Sequence, residues 1–530
     1  MKRIKYFGIV VLSLFLFSCQ KEFLDTTPTA SVDAKNAFSS LDNAYAVING
    51  IHRYMYNSGD YQDESGEASI NLRRDMLGED LCMTAAGNGW FNRFYQWTDH
   101  RNGQATANIY PWRFYYRIIA NANAVIDGLN TKFADKKDDG FFQEIMAQAL
   151  TYRAWAHFNL VQLYAKRYDP TKKGNNSQLG VVLSTTSEVL QRPRSTVEEV
   201  YAQINTDLNN AIALFKSSGS SPAQISDLSI YAAEAIKARV ALTTGEWQTA
   251  IDYSSEALKA GKLFTAADFK ANGGFPTIFS SYPGAGSEWI WGSQVKSDQN
   301  TYFASFFAYM SWNYSSTNIR TNPKTITREL YDAMPATDAR KAMFSLTGYD
   351  IYAKAPNQLD SRALVASYET KKFSAVAPAD SRGDIAYIRV AEMYLIKAEA
   401  EARIGGKDAD AQNTLATLLT SRYDAGTYVK SANTGQALID EILLQRRIEL
   451  WGEGFRFTDL KRLDLPLARV ITAVPDPAKP YKTGHITANY SGHHDPTLCV
   501  VTEVPAGDAR WQWFIPKDEI NANNLVIQNE

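Results

Sequence analysis

Histidine is scarce in this sequence, six residues in 530, and they form no organised cluster. There is no H-E-x-x-H, no G-x-S-x-G and no glycine-rich phosphate loop followed by Lys-Ser/Thr, which removes three common catalytic chemistries. His493-His494-Asp495 could bind a metal, but a loop tip beside Pro496 is the simpler reading. No EF-hand spacing occurs; a Ca²⁺ held by loop oxygens stays open. An excess of one charge is missing too. With 55 basic and 57 acidic residues, bulk electrostatic binding of nucleic acid is excluded. Asp and Glu are scattered, and nothing in their spacing fixes the two carboxylates a glycosidase needs. Beyond the first 18 residues no apolar run is long enough to span a bilayer. Cysteine is limited to Cys19, Cys82 and Cys499. An export compartment would let Cys82 and Cys499 pair, but they read as two independent buried thiols.

What is present begins with "LFLFSCQKEFLD", residues 14–25. Lys2, Arg3 and Lys5 precede a short apolar stretch, Tyr6 to Ser18. That stretch falls short of the roughly 20 residues a span requires and reads as an export signal. Its end, Leu16-Phe17-Ser18-Cys19, resembles a bacterial lipobox, in which the cysteine thiol is acylated and becomes the new N-terminus. The alternative is a plain signal peptide with an incidental cysteine. Acylation of Cys19 by palmitate-like chains has a physical consequence: two or more chains make a stable membrane anchor where one does not. Gln20-Lys21-Glu22 resembles the charged signal that sends some bacterial lipoproteins to the cell surface.

Helical periodicity fills most of the remainder. Phe142, Ile145, Ala149, Tyr152, Ala156, Leu160 and Leu163 recur at steps of three or four within 141–165. Ile388, Ala391, Leu395, Ala398 and Ala402 do so within 387–403, where small alanines let a neighbouring helix approach. Residues 233–261 read as a helix ending near Gly245 and a second one starting at Trp247, in the manner of a tetratricopeptide repeat. Residues 398–422 repeat the outline around Gly405-Gly406, and 195–215 is an amphipathic helix with Ser195 as N-cap and Glu198 as capping-box partner. The fold expected is mainly α: tetratricopeptide-like helix pairs in a compact body. The long insertions at 57–111, 265–325 and 473–512 read as loops with short strands, the usual place for binding.

The motifs together carry a resemblance. "RRIELWGEGFRFTDLKRL", 446–463, is similar to the C-terminal hallmark of the SusD/RagB family of outer-membrane nutrient-binding lipoproteins. "FLDTTPT", "WRFYYRIIANANAVID", "YRAWAHFNLVQLYA", "RPRSTVEEVYAQINTDL", "IRVAEMYLIKAEAEAR" and "WFIPKDEINANNLVIQN" follow the family's order. The resemblance implies a leader at 1–18 and one unit made of an N-terminal region, 19–225, and a C-terminal region, 226–530. It implies four tetratricopeptide-like helix pairs, lipid anchoring at the outer membrane facing outward, and a SusC-like TonB-dependent transporter as partner. It implies capture of a glycan, or in some members a peptide, without catalysis or cofactor. The hallmark charges Arg446, Arg447, Glu449, Glu453, Arg456 and Asp459 read as a structural network, with Arg389, Glu392 and Glu399 as candidate partners.

A sugar offers C–H faces and hydroxyls, so its receptor needs flat rings and a few fixed polar groups. Loop aromatics gather at 78–97 and 301–318. The resemblance implies a ligand site drawing an acidic residue and an aromatic from the first region and aromatics from the second. The candidates are Trp90 and Trp312, with Asp80, Phe91, Tyr302 and Tyr314. Trp112 reads as core, and Trp289 and Trp291 as one inward and one outward on a short strand. A glycan-degrading enzyme and a pure protein-binding scaffold are the rival classes.

Overall fold

The computed structural model describes residues 37–220, 224–271, 287–297, 299, 303–348, 351, 364–471, 486–487 and 492–530. Eleven helices, introduced here in chain order, position the site: α1 (Leu41–Tyr54), α2 (Gly66–Leu77), α3 (Thr106–Lys132), α4 (Gly140–Tyr164), α5 (Val197–Ser218), α6 (Ile230–Thr244), α7 (Trp247–Ala257), α8 (Val390–Ile404), α9 (Asp408–Arg422), α10 (Gly435–Glu449) and α11 (Arg456–Arg462). From α3 to α9 each helix packs on the next, and α10 returns onto α8. The fold is mainly helical and built from such pairs.

Local chemistry sets the helix ends. The Asp139 carboxylate accepts from the N–H groups of Phe141 and Phe142 and starts α4. Thr196 caps α5 in a reciprocal box with Glu199, one residue later than the Ser195–Glu198 pairing expected. Ser and Thr stand side by side there, and it is the Thr196 hydroxyl that accepts from the Glu199 N–H. Gly245, at φ 75°, closes α6 in the left-handed region that a side chain would resist. Residues 387–389, read as helix, are extended: strand Ile385–Arg389 runs directly into α8.

α4 is buried on nearly every side rather than on one stripe, because α3, α5 and α1 all pack on it. Trp112 and Trp155 join the main core. A smaller apolar cluster, including Ala391, Leu395, Ala398, Leu415 and Ile442, binds α8, α9 and α10. The alanines there allow the close helix approach expected of them.

α2 lies in a stretch read from sequence as loop. It is almost wholly buried although it carries Glu67, Arg73, Arg74 and Asp75. Paired charges inside a core erase the apolar periodicity by which helices are recognised. Short strands complete the frame: β1 (Leu81–Met83), β2 (Trp289–Ser293), β3 (Lys324–Ile326), β4 (Phe344–Ser345), β5 (Glu369–Thr370) and β6 (Ile385–Arg389). One sheet has the order β1-β3-β5-β4, and β2 pairs antiparallel with β6 through an irregular register. Trp289 and Trp291 are both buried, so neither faces outward as the alternation predicted. The register shifts between them, and the strand is covered on both faces. No helix among the described residues is long and apolar enough to cross a membrane.

Candidate functional site

β1 and β3 bring the two aromatic regions together. They run antiparallel with Met83 opposite Lys324, so the chain leaving β1 lies beside the chain entering β3. Hydrogen bonds fasten this junction: the Thr84 N–H donates to Asn322 Oδ1 at 3.2 Å and its hydroxyl to the Pro323 carbonyl at 2.8 Å. Asn88 Nδ2 donates to Asn318 Oδ1 at 3.2 Å. Phe91 meets Tyr309 edge-on at 5.0 Å between ring centres.

Trp90 is half-buried at the end of an otherwise exposed turn, 86–89. Phe91 is 6% exposed, in the left-handed region at φ 65°, with the Arg73 guanidinium 5.4 Å from its ring centre. It supports the turn from behind. Trp312 is half-buried. Its N–H donates to the Phe373 carbonyl at 3.1 Å and its indole Nε1 to Ser374 Oγ at 2.6 Å. Asn313 exchanges two 2.8 Å bonds with the Ala375 backbone. Tyr314 is also half-buried, and burial raises its hydroxyl pKa against a hydrogen bond with Ser381. The ring of Trp312 is therefore held by its polar edge.

Asp80 stands elsewhere. It is 5% exposed, and its carboxylate is engaged by Arg447 Nη2 at 2.5 Å, with Arg456 nearby. Burial alone would raise its pKa, but these two guanidinium groups outweigh it and hold the carboxyl below its ordinary value. Asp80 thus anchors the hallmark segment from a buried position. Tyr302 lies outside the described residues, as does Cys19. An aromatic that sequence reasoning passed over is Tyr61, 48% exposed, next to Gln62, whose carbonyl accepts from the Tyr309 hydroxyl at 3.1 Å. A lone tyrosine in a polar loop gave no periodic signal.

The hallmark charges are internal. Glu449 accepts from Arg340 at 3.3 Å, Arg389 at 3.1 Å and Arg422 at 3.0 Å. Glu453 takes Arg389 and Lys372, and Arg446 and Arg462 both hold Asp459 at 2.8 Å. Glu399 takes Arg462, whereas Glu392 instead pairs with Arg239. Desolvation would push the Glu449 carboxyl up; Arg422, Arg389 and Arg340 hold it well below the usual range. His494 is no loop tip: it is buried, bonded to the Tyr95 hydroxyl and to the Glu79 carbonyl. Cys82 and Cys499 are both free and buried. Among the described residues no group of three His, Cys, Asp or Glu is placed to hold a metal.

Two sequence models of one family match this chain. The first, described as starch-binding and associating with the outer membrane, covers residues 22–242; the second, described as the SusD family, covers 269–530. A SusD-like protein of Formosa agariphila is 22% identical over 507 residues, 86% of this chain and 89% of that one. The crystal structure of a SusD-like carbohydrate binding protein from Bacteroides vulgatus is 25% identical with a TM-score of 0.75, covering 92% of this chain and 97% of its own. Surface glycan-binding protein A of Bacteroides thetaiotaomicron, solved with laminarihexaose, shares the fold at a TM-score of 0.65 and 16% identity, over 92% of this chain and 99% of that one. With both halves matched and the helical body superposing along nearly all its length, the chain belongs to the SusD/RagB family, whose members associate with the outer membrane.

Proposed function

We propose that this protein is a surface lipoprotein that binds a nutrient glycan on the ledge formed by Trp90, Trp312 and Tyr314 and passes it to a SusC-like TonB-dependent transporter. The observation that carries the reading is the β1–β3 junction, which sets two half-buried tryptophan-bearing segments side by side. Trp312, fixed at its polar edge, can offer a flat face to sugar C–H groups at little entropic cost. Asn88, Asn313 and Arg320 supply polar neighbours, but their bonds to Asn318, Ala375 and Ser315 leave the rings to set the affinity. The B. vulgatus relative is named as carbohydrate binding, and the B. thetaiotaomicron structure holds a glucan hexamer, which supports a glycan over other nutrients.

The protein acts by binding and not by turnover. A glycosidase needs one carboxyl kept protonated near neutral pH beside an ionised partner. Asp80, the acid expected at the site, is instead held ionised by Arg447 and Arg456. Anchoring rests on Cys19, whose acylation keeps the binding ledge at the membrane surface.

The test is a screen of purified protein against panels of neutral oligosaccharides and peptides, with product analysis of the same mixtures. Saturable binding of at least one glycan with its length unchanged is expected. Binding of peptides alone, or release of shortened sugars, would overturn the reading. Gentle solubilisation of the native outer membrane should bring a large β-barrel partner along.

A further inference from the structure

Away from the ledge, exposed aliphatic side chains gather where the loop between α4 and α5 meets the C-terminal tail. Val189 is 98% exposed and Ile527 66%, with Leu179, Leu190 and Leu525 also in solvent. Hydrogen bonds bring the two segments to one face. Gln191 Nε2 donates to the Ala522 carbonyl at 2.8 Å, and Asn523 Nδ2 to the Arg192 carbonyl at 2.9 Å. The Arg194 guanidinium bonds the carbonyls of both Leu179, at 3.2 Å, and Ile527, at 2.9 Å.

The loop is tied down at its base. Arg153 Nη1 donates to the Thr185 carbonyl at 2.9 Å and Asn123 Nδ2 to the Thr186 carbonyl at 3.0 Å, while the Ser187 N–H donates to Asp127 Oδ2 at 2.7 Å. Val189 and Leu190 therefore stand in water on a fixed backbone. Aliphatic residues scattered singly over a surface are ordinary, but a gathered set marks a contact face.

Two observations say what covers it. The first is where the tether enters. Asp127, which holds Ser187, adjoins Gly128, and Phe38 lies against Gly128: a Cβ there would come within 2.5 Å of its ring. Phe38 stands at the start of the described chain, and the residues before it lead back to Cys19. The face that bears the patch is thus the one on which the chain arrives from the proposed lipid anchor.

The second is composition. Residues 186–192 and 517–527 carry two basic and three acidic side chains and no aromatic ring. Segments that lie in a bilayer surface are rich in Lys and Arg and insert Trp or Phe. An aliphatic centre with a rim of Asn, Gln and Thr is instead the make-up of a contact with protein. The patch is also clear of the ledge. Tyr110 shares the Arg73 guanidinium with Phe91, and Asp127 lies about five turns further along α3, roughly 25 Å away.

We infer that this patch docks on the exterior face of the transporter, against an apolar, uncharged surface of that barrel. The inference rests on the transporter partnership proposed above and adds the face that makes it. Contact there leaves the rings uncovered for a glycan.

The test is made in the native host with the full lipidated chain. The parent, Val189→Asp/Ile527→Asp and Val429→Asp, at an exposed valine on the loop between α9 and α10, are captured by antibody after gentle solubilisation. The barrel, identified by mass spectrometry, should accompany the parent and Val429→Asp and fall at least tenfold with the double variant. Melting temperature and affinity for the glycan found in the screen should not change, which separates docking from folding and from the ledge. A photoreactive amino acid placed at position 189 alone should crosslink to the barrel, a readout independent of the double variant. No barrel with the parent would overturn the transporter reading and this inference with it. A barrel retained by the double variant, lost equally from Val429→Asp, or not crosslinked from position 189 would overturn the docking face alone. Sedimentation with vesicles of phospholipid and lipopolysaccharide is run beside it: binding that the double variant loses while it keeps the barrel would assign the patch to the bilayer and overturn the inference.

Discussion

Arg447, in the last turn of α10, reaches back 367 residues to Asp80, with Nη2 2.5 Å from Oδ1 and Nε 3.1 and 3.2 Å from the two oxygens. The bond locks the hallmark to the segment that leads into β1, and so to the turn that bears Trp90. Asp80→Asn should therefore act on stability and not on affinity. Removing one partner of a buried pair costs about 3–5 kcal/mol. Because Arg447 keeps 29% of its side chain exposed, the lower end of that range is expected. Urea unfolding beside a glycan titration checks both halves of the statement.

Glu449 has a heavier load, accepting from three arginines with no exposure of its own. Glu449→Gln leaves three buried guanidinium groups short of charge and should cost about 3–5 kcal/mol in denaturant unfolding. Added salt should not mask the difference, since buried pairs are screened little.

His494 supplies a pH dependence. Burial, with Arg469 nearby, lowers its pKa from 6.5 to about 3, so it stays neutral in the fold. The unfolded chain takes up a proton below about 6.5, which favours unfolding as the pH falls. Its contribution is thus complete above pH 6.5 and shrinks as pH drops toward about 3, by up to about 3 kcal/mol at pH 4. The melting temperature of His494→Gln should fall less steeply than the parent's between pH 6.5 and 4. Parallel profiles would contradict the assignment.

Gly454 shows how close the hallmark comes to α2. It sits at φ 85°, and a Cβ there would lie 2.6 Å from Asn71 Cβ and 2.7 Å from its Cα. Its N–H also donates to Asp75 Oδ2 at 2.9 Å. Gly454→Ala meets both left-handed strain and a collision, and should cost more than the 1–2 kcal/mol, roughly, of strain alone. Gly406→Ala, at φ 71° with open space around it, should cost that strain and no more. Chemical denaturation of the two variants gives the comparison.

The helical body was legible because its apolar residues recur at helical spacing, as in α4 and α8, and because Gly245 and Gly405-Gly406 mark its turns. α2 escaped notice since Glu67, Arg74 and Asp75 are buried with partners from distant parts of the chain. The hallmark was legible as a charge network from its mixed signs, yet not its wiring: Arg340, Lys372 and Glu288 come from segments with no motif of their own, and Arg422 from a helix whose spacing says nothing of its partner. The proposed ledge was legible only as two aromatic-rich stretches. Whether a ring ends half-buried, like Trp90, or walled in, like its neighbour Phe91, depends on a β1–β3 pairing between residues more than two hundred positions apart.

The central claim is that the Trp90–Trp312 ledge grips a glycan. Calorimetric titration of the best glycan from the screen into the parent, Trp90→Ala and Trp312→Ala tests it most directly. An aromatic contact is worth about 0.5–1.5 kcal/mol beyond its buried area, so each variant should bind at least several-fold more weakly. Each should also melt within about 3 °C of the parent. Full affinity in both variants would contradict the account.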